Sequence, residues 1–354
     1  MTERLQVALL FGGRSGEHEV SLVSAASVAA GLQPRHDVSC VLIDKTGRWL
    51  LQEGEAPQPS GGEPVFLAPV PGEGRLRRLA DAREITRPDV FFPVLHGTYG
   101  EDGTVQGLFE LAAVPYVGAG VAASAVSMDK AMMKALFARA GLPQPDYRVL
   151  VGRDAAAEER LVGELGLPVF VKPANLGSSV GISKVKTPGA LAPALDAAFA
   201  YDRKVVVERG LDVRELEVSI LGNDAPVASV PGEVVPDREF YDYDSKYAAG
   251  SRTGLLIPAP LDPATTQELR RLALAAFQAV DAAGFARVDF FLERATGRLL
   301  VNEINTIPGF TSISMYPKLW EASGLSYPDL LARLVALGLE RHAARARLRT
   351  DYGS

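Results

Sequence analysis

The chain has 354 residues, 47% of them hydrophobic and 23% charged, with a net charge of −6. This is ordinary globular composition, long enough for two or three domains with large cores, so it excludes a disordered chain, and the acidic balance argues against nucleic acid or an anionic membrane as partner. The one cysteine, Cys40, excludes a disulfide framework; apolar runs such as VALLF are far too short to span a bilayer, and no basic-then-apolar leader opens the sequence, so a cytoplasmic protein is expected.

In chain order, LQVALLF (5–11) predicts a buried strand that runs into the loop GGRSGEHE, followed by helical spacing in VSLVSAASVAAGL. The glycines match neither GxGxxG nor the P-loop, which disfavours a dinucleotide fold or a Walker-type NTPase. Glu17 and Glu19 near the helix start either complement its dipole or bind an ammonium group. HDVSCVLID predicts the second strand, and residues 56–75, rich in proline and glycine, predict an exposed excursion with little chemistry. PDVFFPVL predicts a third strand ending in His96 and the loop HGTYGEDG, then a helix TVQGLFELA and a strand PYVGAG. Polar glycine loops at the carboxyl ends of strands are where open α/β sheets place ligands, although a lone histidine there is more often structural.

ASAVSMDKAMMKALFARAGLP predicts one amphipathic helix, near whose start the first domain boundary is placed. Lys130 within it reads as an ordinary surface lysine. Lys172, embedded in the apolar strand LPVFVKP, wants an anion, and the small residues Gly177-Ser178-Ser179-Val180-Gly181 that follow let backbone N–H groups approach phosphate, so the two together predict a triphosphate clamp. KVVVERGL and RELEVSI predict the next strands; Glu208 and Glu215 on them are either ribose acceptors or plain strand-end acids. The long aromatic segment PGEVVPDREFYDYDSKYAAGSRTGLLIPAP predicts a functional loop, such as a lid. A capped helix from LDPATTQELRR leads into the densest polar chemistry of the chain, and LSYPDLLARLVALGLERHAARA predicts a last helix.

That dense stretch, ARVDFFLERATGRLLVNEIN, reads as a hairpin. With Ala295, Thr296 and Gly297 as a three-residue loop, Asp289 falls opposite Glu303 and Arg287 opposite Asn305, all on one face. Directly opposed carboxylates repel by roughly 0.2 to 1 kcal/mol unless a cation lies between them. The ligands are hard oxygens with no histidine or cysteine nearby, which predicts Mg²⁺ or Mn²⁺ shared with phosphate oxygens, and hence a nucleotide.

Taken together, GGRSGEHEVSL, HGTYGEDG, SMDK, VKPANLGSSVGISKV, FYDYDSKY, ARVDFFL and NEINTIPGFTSISMYP resemble, in order over nearly the whole chain, the D-alanine:D-alanine ligase family of ATP-grasp enzymes. The resemblance implies an α/β, three-domain ATP-grasp architecture with an N-terminal open α/β domain (1–124, first D-alanine), a central subdomain (125–210) and a C-terminal domain (211–354) with the lid and the metal hairpin. It implies ATP as co-substrate, two Mg²⁺ ions, a D-alanyl phosphate intermediate and a homodimer. Residue by residue it implies Lys130, Lys172, Ser179 and Lys246 at the ATP phosphates, Glu208 and Glu215 at adenine and ribose, and Asp289, Glu303 and Asn305 on the metal ions. Arg287 and the backbone at Gly309 would meet the tetrahedral oxyanion, Glu17 the first D-alanine ammonium, and Ser314 the second D-alanine carboxylate. Ser178 and Tyr247 match hydrogen-bonded partners of Glu17, and His96 the histidine near the first substrate. Related ligases that use D-lactate or D-serine, a different amino-acid ligase, or a regulator that has kept the fold and lost turnover are the alternatives; the last would be expected to lack a metal acid or the arginine, and none is missing.

Overall fold

The computed structural model describes residues 4–177, 180–235 and 254–349. The chain opens with β1 (Gln6–Gly12), crosses over through α1 (His18–Leu32) to β2 (Asp37–Ile43), and β1 pairs in parallel with both β2 and the later β7. β1 is buried along nearly its whole length, as its unbroken apolar run demands of a parallel strand covered on both faces. Between them β3 (Trp49–Leu51), β4 (Glu63–Leu67), β5 (Leu76–Arg78) and β6 (Glu84–Thr86) extend the sheet by antiparallel pairing, before β7 (Val90–Val94) returns to its far side, giving the order β6-β5-β4-β3-β2-β1-β7. The proline- and glycine-rich stretch expected to be an excursion thus supplies β4, with Val65 and Leu67 turned into the core.

After α2 (Thr104–Ala112), PYVGAG forms no strand but a single parallel bridge, Phe91 to Tyr116. The helix expected over 123–143 is two: α3 (Val121–Met128) and α4 (Lys130–Arg139). Asp129 breaks them because its extended backbone lets its carboxylate accept from the N–H groups of Ala131 and Met132, the arrangement of an N-cap. The second sheet takes β8 (Tyr147–Val151), α5 (Ala155–Leu165), β9 (Val169–Pro173), β10 (Ser183–Val185), α6 (Leu191–Phe199) and β11 (Lys204–Arg209), in the antiparallel order β10-β9-β11-β8.

The third sheet has the order β15-β14-β12-β16-β17, with β13 also on β12. Its strands are β12 (Val213–Gly222), β13 (Val227–Ala228), β14 (Gly232–Val235), β15 (Gly254–Leu256), β16 (Gly284–Glu293) and β17 (Leu299–Asn305). Helix α7 (Pro263–Ala279), capped by Asp262, buries Leu269, Leu272, Ala276 and Phe277 against it. Then α8 (Met315–Ala322) and α9 (Tyr327–Ala346, capped by Ser326) turn back to the first sheet: Leu330, Leu331, Leu334 and Val335 share one apolar cluster with Val7, Leu9, Val28, Val90 and Phe92.

Candidate active site

The hairpin β16–β17 puts Arg287 opposite Asn305 and Asp289 opposite Glu303, the expected register. It arrives there by a different route. The turn is four residues, Arg294 to Gly297, closed by Glu293 N–H to Arg298 carbonyl, with Gly297 at φ +71°. That shifts the pairing by one, and a bulge at Asn302 shifts it back before the acids are reached, so that Glu303 faces the same side as Asp289. The adjacent β12 sets Glu217 beside Asp289 and Ser219 beside Arg287. Glu217, Asp289 and Glu303 therefore form a row of carboxylates across three strands.

Cations hold this row together. Arg287 Nε lies 2.6 Å from Asp289 Oδ1 and 2.9 Å from Glu217 Oε2, and its Nη2 donates to Asp289 Oδ2 at 2.7 Å. Asn305 Nδ2 donates to the same oxygen at 3.0 Å. Burial works against the guanidinium's charge, but Asp289 and Glu217 outweigh it and drive its pKa well above the ordinary arginine value. Lys130, the first residue of α4, donates to the Leu176 carbonyl at 2.7 Å and stands 3.7 Å from Glu303 Oε2. The donor set suits Mg²⁺: Asp289, Glu303 and Asn305 offer hard oxygen ligands, and in this structure the carboxylates are balanced by Arg287 and Lys130. Among the described residues no group of three or more His, Cys, Asp and Glu is placed to hold a metal ion by itself.

The loops at the carboxyl ends of β1 and β7 close on this face. Ser15 Oγ donates to the His96 carbonyl at 2.6 Å and accepts from Glu17 N–H at 3.1 Å, fixing the start of α1. The Glu17 carboxylate then rests against two glycines: a Cβ added at Gly97 or at Gly177 would stand 2.9 Å from Oε2. His96 is buried, with Nδ1 3.0 Å from the Ile307 carbonyl and Nε2 3.2 Å from Ser24 Oγ. A carbonyl only accepts, so Nδ1 carries the proton, and burial, opposed by Glu17, pulls the ring pKa down. In this neutral tautomer Nε2 accepts from Ser24, and Ser24 Oγ in turn accepts from Phe310 N–H at 3.3 Å. His96 thus ties α1 to the loop that follows β17. Phe310 anchors that loop among Phe92, Phe285 and Tyr316, with centroids 5.5–6.2 Å apart. The anchor fixes Gly309 beside Ser314, whose Oγ accepts from Thr311 N–H at 2.9 Å and would lie 2.8 Å from a Cβ at Gly309.

Behind the cleft, Glu208 on β11 is 1% exposed, with Lys172 Nζ at 2.7 Å from Oε1 and Lys134 Nζ at 2.5 Å from Oε2. Burial alone would raise its pKa; the two ammoniums override that and hold it at about 2. Both of its oxygens are committed to lysines, and Glu208 sits beneath Lys172. Glu215 lies on the same side of β12 as Glu217, two residues before it.

The structure brings together Lys130, Gly177, Arg287, Asp289, Glu303 and Asn305, with Glu17, His96, Gly309 and Ser314 along the adjoining loops and Lys172 and Glu208 behind. Ser178, Ser179, Lys246 and Tyr247, with most of the lid, lie outside the described residues. Sequence reading missed Glu217, Lys134 and Glu101. Glu217 was legible in the alternation of RELEVSI, and Lys134 in its four-residue spacing from Lys130, which puts both on one helix face. Glu101 accepts from Gly97 N–H at 2.9 Å, and burial, with Glu17 beside it, pushes its carboxyl up to about 8; only its place in HGTYGEDG hinted at it.

Comparison with known proteins gives the family. The family model for the D-ala D-ala ligase N-terminus matches residues 6–119, and that for the D-ala D-ala ligase C-terminus matches 136–336. A D-alanine–D-alanine ligase of Heliobacterium modesticaldum is 52% identical over 98% of this chain and 97% of its own. Among solved structures, the D-alanine-D-alanine ligase from Coxiella burnetii is 38% identical with a TM-score of 0.84, covering 97% of this chain and 98% of its own. The VanG D-Ala:D-Ser ligase from Enterococcus faecalis is 34% identical with a TM-score of 0.85, covering 95% and 100%. The fold is the ATP-grasp fold. The chain belongs to the D-alanine–D-alanine ligase family, ATP-dependent ligases that need Mg²⁺ and serve peptidoglycan synthesis.

Proposed function

We propose that the residues of this site divide the ligation as follows, with the terminal phosphoryl group of ATP passing to the carboxylate of a first D-alanine and the amine of a second displacing phosphate. The observation that carries this is the carboxylate row Glu217–Asp289–Glu303 with Arg287 among the acids, opposed by Lys130. Asp289, Glu303 and Asn305 would hold two Mg²⁺ ions, which when bound would supply positive charge for phosphate oxygens. Lys130 and Lys172 bind the ATP phosphates, and Ser179 and Lys246 extend that contact, on the strength of the family motifs. Glu215 faces the nucleoside, while Glu208 acts from beneath Lys172.

Glu17 binds the first ammonium, and the Gly97 and Gly177 backbones keep its carboxylate in place. Arg287, planar and permanently charged, and the N–H of Gly309 donate to the oxyanion that develops when the second amine attacks; donors fixed in advance act mainly on the transition state. Ser314 takes the second carboxylate. His96 serves as a strut for the Gly309 loop. Ser178 and Tyr247 complete a hydrogen-bonded group with Glu17, and the lid excludes water from a hydrolysable acyl phosphate. The three-part division at 1–124, 125–210 and 211–354 belongs to the same proposal and is supported by the three sheets, although α9 packs on the first of them. So do a cytoplasmic location and a homodimer; among the described residues no helix is long and apolar enough to cross a membrane.

Phosphate release with ATP, Mg²⁺ and a panel of D- and L-amino acids and D-lactate tests the reading. D-Alanine alone should support release, with D-alanyl-D-alanine as product. Faster mixed product with D-serine would place the chain with the VanG-like ligases at the second subsite, and no release with D-alanine would overturn the proposal.

A further inference from the structure

Lys134 is 1% exposed on α4, whose Met133 and Phe137 join the core of the third sheet. Taking an ammonium so far from water is costly, and replacing a buried charge by an apolar residue of similar size is often neutral or stabilising. Packing therefore does not call for a lysine here. Nor does the neutralisation of Glu208, which Lys172 at 2.7 Å already provides. Lys134 Nζ is enclosed on one side by the Tyr147 ring at 5.1 Å; burial, with Lys172 beside it, pulls its pKa down, and Glu208 and Glu303 oppose that.

The two lysines differ in access. Lys172 has a side chain 10% exposed and approaches Glu208 from β9, next to the loop that begins at Ala174; Lys134 is sealed behind, one turn along α4 from Lys130. We propose that Lys134 is a positioning residue: it is the standing counterion of Glu208, which frees Lys172 to turn its charge to the phosphates of the nucleotide without leaving a buried carboxylate unpaired. This rests on the placement of Lys172 at the phosphates. Without Lys134, Lys172 is the sole partner of Glu208 and is held as a neutral pair.

The test is steady-state kinetics of the full chain with ATP and D-alanine varied separately, and thermal melts to establish folding, on K172M, K134M, K134R and K134M/E208Q. K172M should raise the KM for ATP. K134M should do so by about tenfold, the ratio that one weakened charge-assisted hydrogen bond gives, while the KM for D-alanine and kcat stay within about threefold, a split that a merely structural role would not produce. K134R, which keeps the charge, should hold the ATP KM near the wild-type value. In K134M/E208Q the neutral amide no longer pins Lys172, and the ATP KM should recover most of the loss. A folded K134M with a wild-type KM for ATP, when K172M raises it, overturns the inference and leaves the site reading intact; no effect of K172M overturns both. Should K134M not fold, the double variant decides: ATP KM near wild type supports the counterion role, and one as poor as that of K172M ends it.

Discussion

Gly177→Ala isolates the Glu17 carboxylate with one methyl group. The three nearest atoms to the added Cβ all belong to that carboxylate: Oε2 at 2.9 Å, Cδ at 3.7 Å and Oε1 at 3.9 Å. Relief of the short contact needs a retreat of about 0.5 Å, where a misplacement of roughly 1 Å near the chemistry costs about a hundredfold. The expected effect is about a tenfold rise in KM for the first D-alanine, or roughly 1.4 kcal/mol. Gly177 has no left-handed backbone, so its stability should stay within about 0.5 kcal/mol of wild type. Gly97→Ala makes the same 2.9 Å contact but at φ +75° and with Ser15 Cβ at 3.0 Å, so it should also lose about 1 to 3 kcal/mol of stability to backbone strain. Initial rates over D-alanine concentration at saturating ATP, with melting curves for both variants, make the comparison. A folded Gly177→Ala with unchanged D-alanine kinetics would show that the Glu17 carboxylate does not hold the substrate ammonium, and an equal rise in the KM for ATP would move its role to the nucleotide.

Arg287→Ala should lower kcat by about 10² to 10³ with a much smaller change in nucleotide affinity, as for removal of one oxyanion donor; equal losses in both would place Arg287 on the nucleotide. Glu303→Gln should remain folded yet abolish ligation, and it should lose the rise in melting temperature that Mg²⁺ with ATP gives the wild type by binding only the native state. A shift as large as the wild type's would show that the Glu303 charge is not needed for the metal. Tyr247→Phe should relax product selection toward D-alanyl-D-lactate with ATP binding largely spared, read by product analysis with D-alanine and D-lactate in competition. A wild type that already makes mostly the ester would refute the role given to the tyrosine hydroxyl.

How far the sequence carried depended on the range of the interaction. The face of the hairpin was legible because alternation is local, yet the turn length was misjudged and the acids still matched, since one extra turn residue and the bulge at Asn302 cancel. A bulge leaves no signature in an apolar run such as RLLVN. The single helix expected over 123–143 failed at Asp129, where an apolar stripe on both sides hid a capping carboxylate inside SMDK. The excursion expected at 56–75 is exposed over much of its length, and it differs only where β4 forms, stabilised by its neighbours β3 and β5 and not by its own composition. In the candidate site, the residues expected together were those with motif neighbours. Glu217 and Lys134 were not, because each matters through a partner on another strand or helix, Arg287 for one and Glu208 for the other. Glu208 was read as a nucleoside contact or a plain strand-end acid, and the pair of lysines it holds shows only in the folded chain.

The packing of α9 on the first sheet sets the order of folding against the order of synthesis. Val7, Leu9, Val90 and Phe92 are translated early, but Leu330, Leu331 and Leu334, which cover them, come from the last described helix. Domains usually fold as units, the N-terminal one first while the rest is being made. Here the part of the first sheet's apolar face that α1 leaves open stays uncovered until residues 327–346 have been translated, and the second sheet, which shares no apolar cluster with that helix, can mature sooner. The amino-acid half, which holds Glu17 and His96, is then the last to form, and a chain stopped short of Tyr327 would lose it although every one of its side chains had already been made.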